Sequence, residues 1–163
     1  MTHGESLGGD PEVRLQHALD LSYGWLGRRD RTVAEVRHHL EAKRIEPRTI
    51  DDAVAELALQ GYLDDAGYAR RFTEDRRNLD GWGADRIARR LRALGVADEV
   101  VQEALGDRGP GDELEAAVEV LRRRVRVAPE DDAGRERALG VLARRGYDLE
   151  VAYQAVRRFE RGG

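Results

Sequence analysis

The chain has 163 residues, 37% of them charged and 6% aromatic, with no cysteine and a formal net charge of −4. The lack of cysteine excludes a disulfide framework and a thiolate metal site. No apolar run approaches the roughly 18 residues of a membrane span, and Met1–Asp10 lacks a basic-then-apolar signal pattern, so a soluble cytoplasmic protein is expected.

Residues 1–11 are polar and Gly-rich and read as a disordered tail. Leu15, Ala18, Leu19, Ser22 and Leu26 then form the stripe of an amphipathic helix, which Gly27–Arg31 ends. Thr32 with Glu35 three residues on has the pattern of a capping box, opening a helix through Val33, Val36 and Leu40. After a turn at Arg44–Glu46, Pro47 suits the first helical position, and Ile50, Ala53, Val54 and Leu57 line a third helix. Asp64 or Asp65 can cap the next helix, which carries Ala69 and Phe72. A Gly81-Trp82-Gly83 turn follows, then a helix with Ile87 and Leu91, a left-handed Gly95, and a helix with Val100, Val101, Ala104 and Leu105. Gly106–Gly111 reads as a linker. Leu114, Ala117, Val118, Leu121 and Val125 begin the last third. Ala138 and Leu142 sit on a helix that ends at Gly146. Asp148 then caps a helix with Ala152, Ala155, Val156 and Phe159. No sustained period-two alternation calls for a sheet.

These elements recur. Leu40, Leu91 and Leu142 fall at one 51-residue interval, which also links Val36, Ile87 and Ala138, and Ile45, Val96 and Tyr147. Ala53, Ala104 and Ala155 keep it, as do Val54, Leu105 and Val156, and the turn residues Arg44, Gly95 and Gly146. The expected fold is therefore all-α: three tandem three-helix repeats, a helical array of helix-turn-helix-like units. The repeats are bounded at 12–60, 61–106 and 113–161, with a linker at 107–112.

The chemistry of a catalytic or metal site is missing from this pattern. His3 lies in the tail, His17 stands alone, and the adjacent His38 and His39 point about 100° apart on a helix, so no metal site and no cofactor is expected. Asp64-Asp65 and Asp51-Asp52 read as caps and first-turn acids, not as a general acid–base pair. Gly81-Trp82-Gly83 follows no strand, so dinucleotide binding is rejected, and Trp82 reads equally as a partner anchor or as a side chain folded onto its own repeat. No enzyme is expected. What remains is arginine: residues 1–69 carry a net charge of −5 and residues 70–163 a net of +1, with the arginines clustered in the latter. Arg86, Arg89 and Arg90 share a helix face, as do Arg122 and Arg126, and each face reads either as solvated or as a binding surface.

Gly61-Tyr62-Leu63-Asp64-Asp65-Ala66-Gly67-Tyr68-Ala69-Arg70-Arg71-Phe72, then Gly81 to Leu91 and Gly95-Val96, resemble in order and spacing the signature of the bacterial RecX regulatory family. Arg29–Leu40 and Leu142–Tyr147 resemble its first-repeat and third-repeat motifs, so the resemblance covers roughly residues 14–160. Two positions depart: Val36 stands where leucine is more frequent, and Arg44 where glycine is usual, which predicts a differently built first turn. The resemblance implies three tandem three-helix repeats and a monomer that binds the RecA recombinase filament on single-stranded DNA. It implies that this binding dampens recombinase, ATPase and co-protease activities in DNA repair, recombination and the SOS response. It also carries the partner-binding surface onto Arg70, Arg71, Arg76, Arg77, Arg86, Arg89, Arg90, Arg122, Arg123 and Arg126. Leu63, Tyr68, Ala69, Phe72, Ile87 and Leu91 are read as core. The rival reading is a DNA-binding array with its arginines on phosphates, which the net charge disfavours as the principal role; weak direct DNA binding beside filament binding is compatible with the first.

Overall fold

The computed structural model describes residues 9–162, and among them the regular structure is helical with no strand. In chain order the helices are α1 Pro11–Leu26, α2 Val33–Ala42, α3 Pro47–Leu59, α4 Asp65–Asp75, α5 Ala84–Ala93, α6 Asp98–Leu105, α7 Pro110–Arg124, α8 Asp132–Arg144 and α9 Leu149–Glu160. A π-helical turn, Arg76–Asp80, runs on from α4.

Side chains near several of the helix starts supply acceptors for the unsatisfied first-turn N–H groups. Asp10 accepts from the Glu12 N–H and Pro11 opens α1. Of the expected tail, residues 1–8 lie outside the described residues, and Asp10 and Pro11 belong to this helix start. Thr32 and Glu35 form the reciprocal capping box on α2, Pro47 opens α3, and Asp148 accepts from the Glu150 and Val151 N–H groups of α9. The 107–112 segment is only partly a linker: Pro110 takes the first position of α7, where its missing N–H costs nothing.

The described residues fall into two compact units. The first runs up to Tyr68 and adds Leu94–Ala97; the second comprises Ala69–Ala93 and Asp98 onward. In the first, α1, α2 and α3 pack together around Ala18, Leu19, Val36, Leu40, Ile50 and Leu57. In the second, α7, α8 and α9 pack around Val118, Leu121, Leu142, Ala155 and Val156, while α5 packs on α6. The 51-residue columns are mostly buried, but Ile45, Ala104 and Leu105 are only half-buried. Leu63, Ala69, Ile87 and Leu91 are core, whereas Tyr68 and Phe72, expected with them, are half-buried.

One junction is built twice. In the first unit the Thr32 hydroxyl donates to the Leu94 carbonyl at 2.7 Å, seating the Leu94-Gly95 turn on the start of α2. In the second, the Gly83 N–H donates to Arg145 O at 2.7 Å and the Asp85 N–H to Gly146 O at 3.1 Å, seating the Arg145-Gly146 turn on the start of α5. Gly95 and Gly146 have φ of 85° and 86°. A Cβ at Gly95 would overlap the Cβ of Ala34, and one at Gly146 would overlap the Cβ and backbone nitrogen of Arg86. Arg44 corrects the expectation of a different first turn: its φ is 61°, so the chain turns in the same left-handed way. Arg44 carries a Cβ at this left-handed φ, so the close approach that demands glycine at Gly95 and Gly146 does not arise there.

Asp65 also departs from expectation. Asp64 caps α4 through the Gly67 N–H at 3.0 Å, but the Asp65 carboxylate reaches the Val33 N–H at 2.9 Å, capping α2 from 32 residues away. Burial raises the Asp65 pKa from its ordinary value, opposed by this hydrogen bond.

Position and packing separate two glycine substitutions. Gly61, with φ of 84°, has nothing within 4 Å of an added Cβ. Gly61→Ala should cost about 1 kcal/mol, the left-handed penalty alone, whereas Gly146→Ala should cost about 3 kcal/mol or more because backbone atoms must also move. Urea unfolding checks this, and equal costs would contradict the junction.

Candidate partner-binding surface

The structure gives the ten expected arginines different tasks. Arg76 pairs with Asp80 across the π-helical turn and lies 5.7 Å and 5.8 Å from the Phe72 and Trp82 ring centroids. Arg77 donates to the Leu105 carbonyl at 2.9 Å; burial, and then Arg108, lower its pKa. Arg86 donates to the Arg144 carbonyl at 2.7 Å and covers the Trp82 ring at 4.0 Å. Trp82 is thus folded onto its own unit: half-buried, with the Phe72 ring edge-on at 6.0 Å. These three arginines hold backbone and rings in place, so the expected Arg86/Arg89/Arg90 face reduces to Arg89 and Arg90.

Arg122 and Arg123 both engage Glu119, at 3.4 Å and 3.1 Å. Arg70, Arg71, Arg89, Arg90 and Arg126 are exposed. No described carboxylate forms an ion pair with Arg70, Arg89, Arg90 or Arg126. Arg124, Arg144 and Arg145 lie outside the expected contact set. Burial lowers the Arg145 pKa first, and then the neighbouring charges of Arg124, Arg144 and Arg86 lower it further, so four cations converge here. The signal was the Arg144-Arg145 pair immediately before the left-handed Gly146. Below this cluster Tyr147 is buried, donates to the Gly81 carbonyl at 2.9 Å, and has its pKa pushed up to about 12, chiefly by that burial.

The first unit holds an aromatic arrangement that the sequence reading missed. The Arg31 guanidinium lies 3.9 Å from the Trp25 ring centroid, and the His39 ring stacks on the same indole at 4.1 Å with a 5° interplanar angle. Two groups so close to one centroid must take opposite faces, so Trp25 is sandwiched. His39 is therefore packed against a ring rather than free in solvent. Burial, then Lys43, Arg31 and Arg28, lower its pKa and so favour the neutral imidazole.

Among the described residues no group of three or more His, Cys, Asp or Glu could hold a metal ion, and no helix is long and apolar enough to cross a membrane. Fold and surface together define a tandem three-helix-repeat protein that exposes several arginines without ion pairs. Its repeats match three family models in order: the first three-helix domain of RecX over residues 18–57, the second over 64–105 and the third over 111–156. "Regulatory protein RecX" of Mycolicibacterium smegmatis is 36% identical over 154 residues, covering 90% of this chain and 81% of the relative. That of Amycolatopsis mediterranei is 30% identical over 149 residues, covering 90% and 85%. The crystal structure of RecX from Lactobacillus salivarius superposes with a TM-score of 0.76 at 16% identity, covering 90% of this chain and 97% of that one, and so shares the fold. The chain belongs to the RecX family.

The Trp25 sandwich gives a pH dependence of known sign. Because the folded pKa of His39 lies below its unfolded value, the unfolded chain binds more protons. The stability linked to neutral His39 is complete above about pH 6.5 and is lost as pH falls through that value toward the folded pKa. Urea midpoints measured between about pH 7.5 and 5.5 should fall for the wild type and fall less for His39→Gln. An unchanged slope in the variant would contradict the role given to His39.

Proposed function

We propose that this chain is a non-enzymatic regulator that binds the RecA recombinase filament on single-stranded DNA and lowers its recombinase, ATPase and co-protease activities. Its setting is DNA repair, recombination and the SOS response, and it acts as a cytoplasmic monomer. The observation that carries this reading is the run of three RecX domains matched in order along the chain. Relatives that span most of this chain bear the name "Regulatory protein RecX".

The physics of the repeats supports it. A regulator made of repeats can contact a polymer at several points, and modest contacts then reinforce one another through effective concentration. Such a ligand shifts the filament only by its differential affinity for one of its states. Arg70, Arg89, Arg90 and Arg126, exposed and without ion pairs, are the proposed contacts among the arginines expected from the sequence. Arg76, Arg77 and Arg86 act instead as positioning residues.

The protein should lower the DNA-dependent ATPase of RecA at well below one molecule per RecA protomer. A coupled ATPase titration with the cognate recombinase measures this. A flat titration up to a molar excess would overturn the reading.

A further inference from the structure

In the second unit the segment after α7 and one side of α8 enclose a groove of about 960 Å³. Arg124, Arg126, Arg137 and Arg144 line it; all four are exposed, and no described carboxylate forms an ion pair with any of them. Between them the lining is apolar: Val125, Ala128, Pro129 and Val141 are half-buried and Val127 is 71% exposed. Three carboxylates, Glu130, Asp131 and Glu136, complete the wall, and Asp131 is held by the Gly134 N–H at 2.8 Å.

We propose that this groove takes a polypeptide segment of the filament protein that carries both acidic and apolar side chains. The proposal rests on the functional reading above and assigns the chemistry of one contact. Four unpaired guanidinium groups call for carboxylates, which they can grip bidentately. An exposed valine beside half-buried apolar neighbours gains by covering with an apolar side chain, and an apolar centre with arginine around it is the composition of a protein–protein interface. A nucleic-acid strand suits the groove less well. Its backbone would gain nothing from Val127, and the groove lining offers no aromatic ring on which a base could stack.

Co-sedimentation of the full chain with RecA filaments on oligo(dT), beside binding to oligo(dT) alone, tests this. The variants are Arg126→Glu with Arg137→Glu, and separately Val127→Asp. All three positions are exposed, so circular dichroism and the thermal midpoint should stay at wild-type values. The charge reversal should weaken filament binding by about tenfold or more, and Val127→Asp by about fivefold, while binding to bare oligo(dT) is unchanged or, for wild type and variants alike, undetectable. Wild-type filament binding by Val127→Asp would overturn the proposal. So would parallel loss of filament and oligo(dT) binding in the charge-reversed protein, which would assign the groove to nucleic acid. If the wild type itself fails to sediment with filaments, the functional reading falls, and the groove assignment falls with it.

Discussion

The structure depends on the seating of a left-handed turn against the first residues of a middle helix. The first N–H groups of a helix have no partner within it, and the last carbonyls have none either. Across the second junction the two deficits cancel, the Arg145 and Gly146 carbonyls accepting from the Gly83 and Asp85 N–H groups; at the first, the Leu94 carbonyl accepts from the Thr32 hydroxyl. The opposed helix-end dipoles add to the fit. A Cβ at Gly95 would meet the Cβ of Ala34 and one at Gly146 the backbone of Arg86, so glycine is demanded twice over, by φ and by proximity. Arg44 makes the same turn without the second demand, and that is why it can be arginine.

The same reasoning explains why the junction is not built a third time. α2 begins at Val33 and α5 at Ala84, one repeat apart, but α8 begins at Asp132, three residues earlier than that register requires. The extra turn places Gly134 inside the helix, and the Asp131 carboxylate supplies the oxygen that a docked turn supplies to Gly83. This helix start is capped by its own segment and needs no docked turn. The segment leading into that extra turn also forms one wall of the arginine-lined groove.

Most of the fold was legible in the sequence because its determinants are local and periodic. The Val36/Ile87/Ala138 and Leu40/Leu91/Leu142 columns report one core position in three copies, and Thr32, Pro47 and Asp148 announce their helices by chemistry that acts within three residues. What was not legible is long-range. Asp65 looks like the cap of its own helix and serves Val33 instead. Arg77 and Arg86, expected on the partner-binding surface, are drawn onto the Leu105 and Arg144 carbonyls. His39 becomes significant only when α1 brings Trp25 to it. Charge type can be read from a sequence, but which charges are left over after internal pairing cannot. A surface defined by unspent arginines therefore emerges only from the folded chain.

Native-state hydrogen exchange of the Gly83 and Asp85 amides tests the junction most directly. Amides in the first turn of a helix ordinarily exchange quickly, and those of Glu12 and Glu150, capped by exposed aspartates, provide the reference. If the Arg145-Gly146 turn is seated as described, Gly83 and Asp85 will exchange orders of magnitude more slowly than that pair, with protection approaching that of the α9 core. Exchange at the rate of Glu12 and Glu150 would show that the junction is not closed in solution and would contradict the account.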